Sequence, residues 1–252
     1  MNIINVSAVL IIIAVGMIAC AAALLFRDSI RVKPSHGMNL RKQWLKAGIS
    51  DSLEKSEPIH LNIGIQNDSD LNSGAGLTAM TGVENVSAQM AFADEPWRIS
   101  CGSAGAAFFE KDAVKIGLDN ADYGNDFEED CTRYCGFSPV LHQAASISMN
   151  EGKSVALHMN LGAFGSSAVL QDLAYAPDER ILIAGDDLSS QAIGVLTADQ
   201  VMIGEEQTEI SGFMSGDSET DPSLLAMDIL RFSVLTVLII TALIEIFGKT
   251  GL

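Results

Sequence analysis

Residues 3–26 run for twenty-four positions without a charge and residues 232–244 for thirteen more, on either side of a polar, strongly acidic middle. At about 1.5 Å of rise per residue, the first run is longer than the roughly 30 Å hydrocarbon core of a bilayer. It is predicted to be a retained transmembrane helix. The second run is bounded by Arg231 and Glu245. Long side chains at a helix end reach the headgroups, so residues 229–247 read as a second span with Arg231 snorkelling. The expected organisation is a span at 3–26, a basic membrane-proximal segment at 27–56, an α/β domain at 57–223 and a terminal helix at 224–247.

Other accounts of the first run fit less well. A cleaved signal needs a basic leading region, and residues 2–26 hold no Lys or Arg. A lipoprotein signal ending at Cys20 should be followed by polar sequence, whereas 21–26 is apolar. An amphipathic surface helix needs a charged face, and this segment has none. Orientation follows from the cations, because Lys and Arg close to a span stay cytoplasmic. Arg27, Arg31, Lys33, Arg41, Lys42 and Lys46 follow the first run, Arg231 precedes the second, and only Lys249 lies beyond it. The expectation is a prokaryotic cytoplasmic (inner) membrane protein with the middle domain in the cytoplasm and both termini outside. Arg27, Arg31, Lys33 and Arg231 are its membrane-interface residues.

The net charge is -17, and residues 181–230 contain ten Asp and Glu without one Lys or Arg. Nucleic acid is excluded as an expected partner, since binding phosphates needs clustered cations. The acid keeps the domain soluble, and a docking face for a basic partner is its functional alternative.

Within the middle, short apolar runs alternate with longer Ala-rich segments. Strands are predicted at 59–65, 97–101, 154–159, 180–184 and 201–203, each bounded by Gly, Asp or Asn. Helices are predicted at 38–55, 77–92, 104–118, 139–149, 166–176 and 189–198. That order makes a mostly parallel, Rossmann-like sheet with helices on both faces. No internal repeat or linker divides it, so one domain is expected. Two polar loops, 66–76 and 119–130, interrupt it.

Ligands of such sheets bind at the carboxyl ends of the strands. Two glycine-rich turns qualify there, Gly102-Ser103-Ala104-Gly105 and Gly162-Ala163-Phe164-Gly165-Ser166. Their amides could hold a phosphate or carboxylate, making Gly102, Gly105, Gly162, Gly165 and Ser166 the candidate anion-binding residues. Neither turn has G-x-G-x-x-G or a Walker lysine, and close approach of helix and strand explains the glycines as well.

Metal and catalytic signals are weaker. Asp68, Asp70 and Asn72 begin a calcium-loop spacing, but Ala79 stands where a bidentate Glu is required. Asp119, Asp122, Asp126, Glu128, Glu129 and Asp130 match no motif. Cys131 and Cys135 would share a face if helical, with Cys101 as a third thiol, but the spacing matches no zinc or redox pattern. His36, His60, His142 and His158 are dispersed, two of them in predicted strands, and no nucleophile elbow occurs. Glu205 and Glu206 suit a helix N-terminus better than an acid/base pair. No catalytic residue, metal site or cofactor is identified.

Taken together, Leu161-Gly162-Ala163-Phe164-Gly165, Ala184-Gly185-Asp186, Ile203-Gly204-Glu205-Glu206 and residues 228–235 entering the last apolar run have a familiar arrangement. The chain resembles, over most of residues 40–246, an uncharacterised prokaryotic family of two-span membrane-anchored α/β proteins. That resemblance implies the fold and the anchoring, and no activity. The residues themselves imply a non-enzymatic structural or assembly subunit of a larger membrane complex, whose partners are the bilayer and further copies or other subunits. The alternative is a membrane-bound sensor or enzyme taking a nucleotide or other small anion at the glycine-rich turns.

Overall fold

The structure, a computed structural model, describes residues 36–64, 73–94, 97–175 and 179–209, together with 231, 233–235 and 238. The chain divides into two compact units, Ser35–Gly216 and a second made of Met1–Pro34 with Asp217–Leu252. Of the second unit only the helical positions 231, 233–235 and 238 are described. The two expected spans, and with them Arg27, Arg31 and Lys33, otherwise lie outside the described residues. Among those described, no helix is long and apolar enough to cross a membrane.

The unit Ser35–Gly216 is an α/β fold. Its six strands are β1 (Ile59–Gly64), β2 (Trp97–Cys101), β3 (Thr132–Tyr134), β4 (Leu157–Gly162), β5 (Arg180–Gly185) and β6 (Gln200–Val201). They form one sheet in the order β3-β2-β1-β4-β5-β6, parallel at every pairing. The helices are α1 (His36–Lys55), α2 (Gly74–Gln89), α3 (Ala104–Asn120), α4 (Pro139–Asn150), α5 (Ala168–Asp172) and α6 (Leu188–Thr197). Serine or aspartate caps four of them: Ser73, Ser103, Ser138 and Asp187 each accept an amide from the first turn of α2, α3, α4 and α6.

Against the sequence expectations, β4 begins three residues late, because residues 154–156 lead into the strand rather than pair within it. The expected helix at 166–176 is reduced to a 3-10 turn, Gly165–Ser167, followed by the five residues of α5. Strand β3 was not foreseen. It is only three residues long and two of them are exposed, so it carries no apolar run to mark it. Cys131 and Cys135 flank it and share no helix face.

The two sides of the sheet differ in kind. Ile59, Leu61 and Ile63 of β1 and Leu157, Met159 and Leu161 of β4 belong to the apolar core, with Ile99, Leu182 and Ala184. Helix α1 supplies Leu45 and Ile49 to it, α2 supplies Val83 and Val86, and α3 supplies Val114 and Leu118. Each such fully buried side chain contributes about 2 kcal/mol. Arg180 holds α1 down on this side, its guanidinium 2.7 Å from Asp51 and 5.7 Å from the Trp44 ring centre. The helix foreseen as a membrane-proximal segment is therefore packed into the same unit as the sheet.

The intervening residues face the other way. His60 pairs in register with His158, Asn62 with Asn160, and Gly64 with Gly162. The hexapeptides Ile-His-Leu-Asn-Ile-Gly and Leu-His-Met-Asn-Leu-Gly are thus one pattern used twice, side by side, although no internal repeat was expected. All twelve residues are buried.

Candidate functional site

The polar half of this repeat, with Ser100 from β2, is covered by Gln143 and Ser146 of α4 and Gln171 of α5, all buried. His60 Nδ1 lies 3.2 Å from His158 Nδ1, and its Nε2 lies 3.0 Å from Ser100 Oγ and 3.2 Å from Ser146 Oγ. Ser100 Oγ donates to Asn62 Oδ1 at 3.0 Å. The Asn62 amide donates to Asn160 at 3.0 Å and Gln143 at 3.2 Å, and also to Gln171. Gln171 in turn donates to Ser146 Oγ at 3.0 Å. Tyr175 stacks on the His158 ring at 3.3 Å between centres, and its hydroxyl is 3.1 Å from His60 Nδ1.

One arrangement of hydrogens satisfies this chain. Two facing Nδ1 atoms can share only one proton. Glu179 Oε2 stands 3.3 Å from His158 Nε2, in ion-pair range though not aligned as a hydrogen bond. It favours a proton on that nitrogen. His158 Nδ1 is then bare and accepts from His60 Nδ1, while His60 Nε2 accepts from the Ser146 hydroxyl. The result is a directed run from Asn62 through Gln171, Ser146, His60 and His158 to a half-buried carboxylate. Burial pushes all three imidazoles below the ordinary histidine range. For His60, neighbouring His158, His142 and Arg98 add to the effect, while Glu179 opposes it at His158. His142, stacked on Phe164, is lowered to about 4 because desolvation outweighs an interaction with the Ser100 backbone.

Two cavities open at the amino ends of the strands. One, of ≈ 640 Å³, is lined by Ile147, Asn150, Ser154, His158, Tyr175 and Glu179 among others. The other, of ≈ 610 Å³, includes Phe92, Trp97, Arg98, Tyr123 and Arg133, with Asp126, Glu128 and Asp130 from the acidic loop. A catalytic histidine keeps one nitrogen for substrate while a protein group orients the other. His158 turns Nδ1 to His60 and Nε2 toward Glu179, 3.3 Å away. Ser100 and Ser146 are fully buried. The arrangement keeps both imidazoles neutral and both hydroxyls buried.

The glycine-rich turns stand at the opposite, carboxyl edge. Gly102 is buried after β2 and Gly105 lies in the first turn of α3, while Gly162 ends β4 and Gly165 and the exposed Ser166 follow it. The two turns therefore flank the end of β1, whose following residues, including Asp68, Asp70 and Asn72, lie outside the described residues. At the β1–β4 switch point, Ala163 N donates to Gly64 O at 2.8 Å. A Cβ on Gly64 would stand 2.7 Å from the Ala163 carbonyl oxygen. That bond continues the β1–β4 ladder one step past the strand ends. Gly165, at φ +59°, gives its amide to Asp187 Oδ2 at 3.0 Å. The same carboxylate accepts from Ser190 N at 2.8 Å. Burial pushes the Asp187 carboxyl up, but the hydrogen bonds from Ser190 and Gly165 prevail and leave it below the usual range. The chain's own anion thus occupies the Gly165 amide.

Elsewhere, Glu110 of α3 is fully buried, and desolvation, opposed by the neighbouring Cys101 thiol, raises it to about 8. Its neighbours Cys131 and Cys135 are raised by burial to about 11, and Cys101 further still. These are inert, protonated thiols at neutral pH. Among the described residues no three His, Cys, Asp or Glu side chains are grouped to hold a metal. Glu206 caps the turn Gly204–Glu209 by accepting from Ile203 N at 3.1 Å, and it pairs with Arg41 at 2.5 Å. The polar network escaped sequence reasoning, which weighed His60 and His158 separately. The repeated H-x-N spacing was the signal that would have joined them.

No protein-family model, curated protein or solved structure matches this chain.

Proposed function

We propose that this chain is a membrane-anchored, non-enzymatic docking subunit of a larger membrane complex, with its α/β unit making the protein contacts. One observation carries the reading: the layer α4-α5-α6 is inverted. Its inner side is polar, with His142, Gln143, Ser146, Gln171, Ser190 and Gln191 buried. Its outer side exposes Val140 and Leu141 of α4, Leu170 of α5 and Leu173 just after it, and Val195 and Leu196 of α6. Helix α5 packs against both neighbours, so the three form one surface. An ordinary surface helix turns its apolar stripe inward. Exposed apolar side chains gathered on one helical layer support a surface made to be covered, and burying one Leu contributes about 2 kcal/mol.

The apolar runs at 3–26 and 232–244 support anchoring, and the cations that follow the first support a cytoplasmic unit. Purification of the full chain from membranes in mild detergent is expected to give one defined species larger than a monomer. A clean monomer at every concentration overturns the reading.

A further inference from the structure

The cavity of ≈ 640 Å³ at the amino end of β4 has a size that takes small molecules, about 300–1,000 Å³. One wall is the turn after α4, with Glu151 and Lys153, and the other carries Ala174, Tyr175 and Glu179. His158 lines it from β4 although the residue is 0% exposed. Its imidazole is held in place by the fold. Tyr175 stacks on the ring at 3.3 Å between centres, and Nδ1 is fixed against His60 Nδ1 at 3.2 Å.

These groups select a ligand by its chemistry. With the proton on Nε2, His158 offers a donor, while Glu179 Oε2, 3.3 Å away and off the line of that N–H, offers an acceptor. A hydroxyl oxygen accepts from the one and donates to the other at the same time. An anion would meet the carboxylates of Glu151 and Glu179 with only Lys153 to offset them in the lining. A cation has no lone pair for the imidazole N–H. We propose that this cavity is a binding site for a small uncharged polyhydroxy compound, a sugar or polyol, one of whose hydroxyls bridges His158 Nε2 and Glu179. The site stands independently of the docking reading, because none of the docking side chains named above lines it.

The test uses the full chain in lipid nanodiscs, which keep sugar-headed detergents away from the cavity. Saturation-transfer NMR is recorded with myo-inositol, glucose, ribose and mannitol, and with citrate, putrescine and acetamide as an anion, a cation and an amide. Transfer to at least one polyol is expected, and none to the other compounds. Glu179→Ala removes the acceptor, and Ala174→Trp places a bulky ring at an exposed position of the wall. Each is expected to weaken polyol binding about ten-fold or more, and Ala174→Trp should keep the wild-type melting temperature. Phe108→Ala, on α3, is expected to leave binding unchanged. No transfer to any polyol overturns the site. So does polyol transfer that survives both wall substitutions, which is surface association only. Transfer to citrate, putrescine or acetamide in place of the polyols overturns the assignment of the ligand.

Discussion

His60 and His158 point their Nδ1 atoms at one another across adjacent parallel strands, 3.2 Å apart in a buried layer. A proton added to either ring puts a charge against its neighbour and leaves it without water, which is why burial and mutual repulsion hold His60 well below the ordinary range. The pair is stable only as two neutral rings.

Acid sensitivity follows. In the unfolded chain these histidines bind protons near pH 6.5, whereas His142 in the fold waits until about 4. Below pH 6.5 the unfolded state therefore holds more protons, and stability is lost as pH falls from 6.5 through 4. His142 alone accounts for about 3 kcal/mol at the end of that window. The histidine contribution to the urea midpoint is expected to fall steadily between pH 7 and 4.5, against the opposite contribution of Glu110. His142→Leu, which removes a desolvated imidazole, should flatten the slope; an unchanged slope would count against the assignment.

Glu110 gives the opposite sign. Its carboxyl is raised from 4.5 to about 8, so the fold binds the extra proton and stability declines as pH rises from 4.5 to 8. Glu110→Gln removes that dependence. It is expected to be near neutral at pH 5 and to stabilise by about 3 kcal/mol at pH 7, read as a melting temperature that gains more at higher pH. Equal gains at both pH values would mean that the carboxylate is not desolvated.

Two glycines at the carboxyl edge should respond differently to alanine. At Gly64 the added methyl meets the Ala163 backbone at 2.7–2.8 Å, and neither strand end can give way without breaking the Ala163–Gly64 hydrogen bond. At Gly165 nothing lies within 4 Å and only the backbone angle of +59° resists, a strain of about 1 kcal/mol. Chemical denaturation is expected to show a loss of about 3 kcal/mol or more for Gly64→Ala. If the two cost the same, the switch point is looser than the hydrogen bond implies.

The parallel sheet was legible because Ile, Leu and Met recur in short runs that end in glycine, and Trp97–Cys101 fell where expected. Its polar half was not legible for a physical reason. His60, Asn62, His158 and Asn160 alternate with apolar residues, the pattern of a strand with one wet face, and only tertiary packing by Gln143, Ser146 and Gln171 reveals that this face is dry. The same packing explains why α4 and α6 look ordinary in sequence. Their apolar and polar residues have helical spacing, but spacing does not say which side is inward. The glycines of the candidate anion turns were placed at the right edge, while Asp187, twenty-two residues after Gly165, could not be tied to it from sequence.

Asn62 is the hub through which that dry polar face should be tested last. Its amide nitrogen, with two hydrogens, faces the side-chain oxygens of Asn160, Gln143 and Gln171, and its oxygen accepts from Ser100. Asn62→Leu keeps the volume roughly constant but strands several buried polar atoms, each costing about 1–3 kcal/mol. The loss is expected to exceed about 3 kcal/mol in urea unfolding. Ser100→Ala alone leaves one acceptor on Asn62 unmet and should cost about 1 kcal/mol. Because both substitutions act on one network, the double variant should cost less than the two combined. Simple additivity in that cycle would show that Asn62 and Ser100 are independent, and that the repeated H-x-N pattern does not build a connected core.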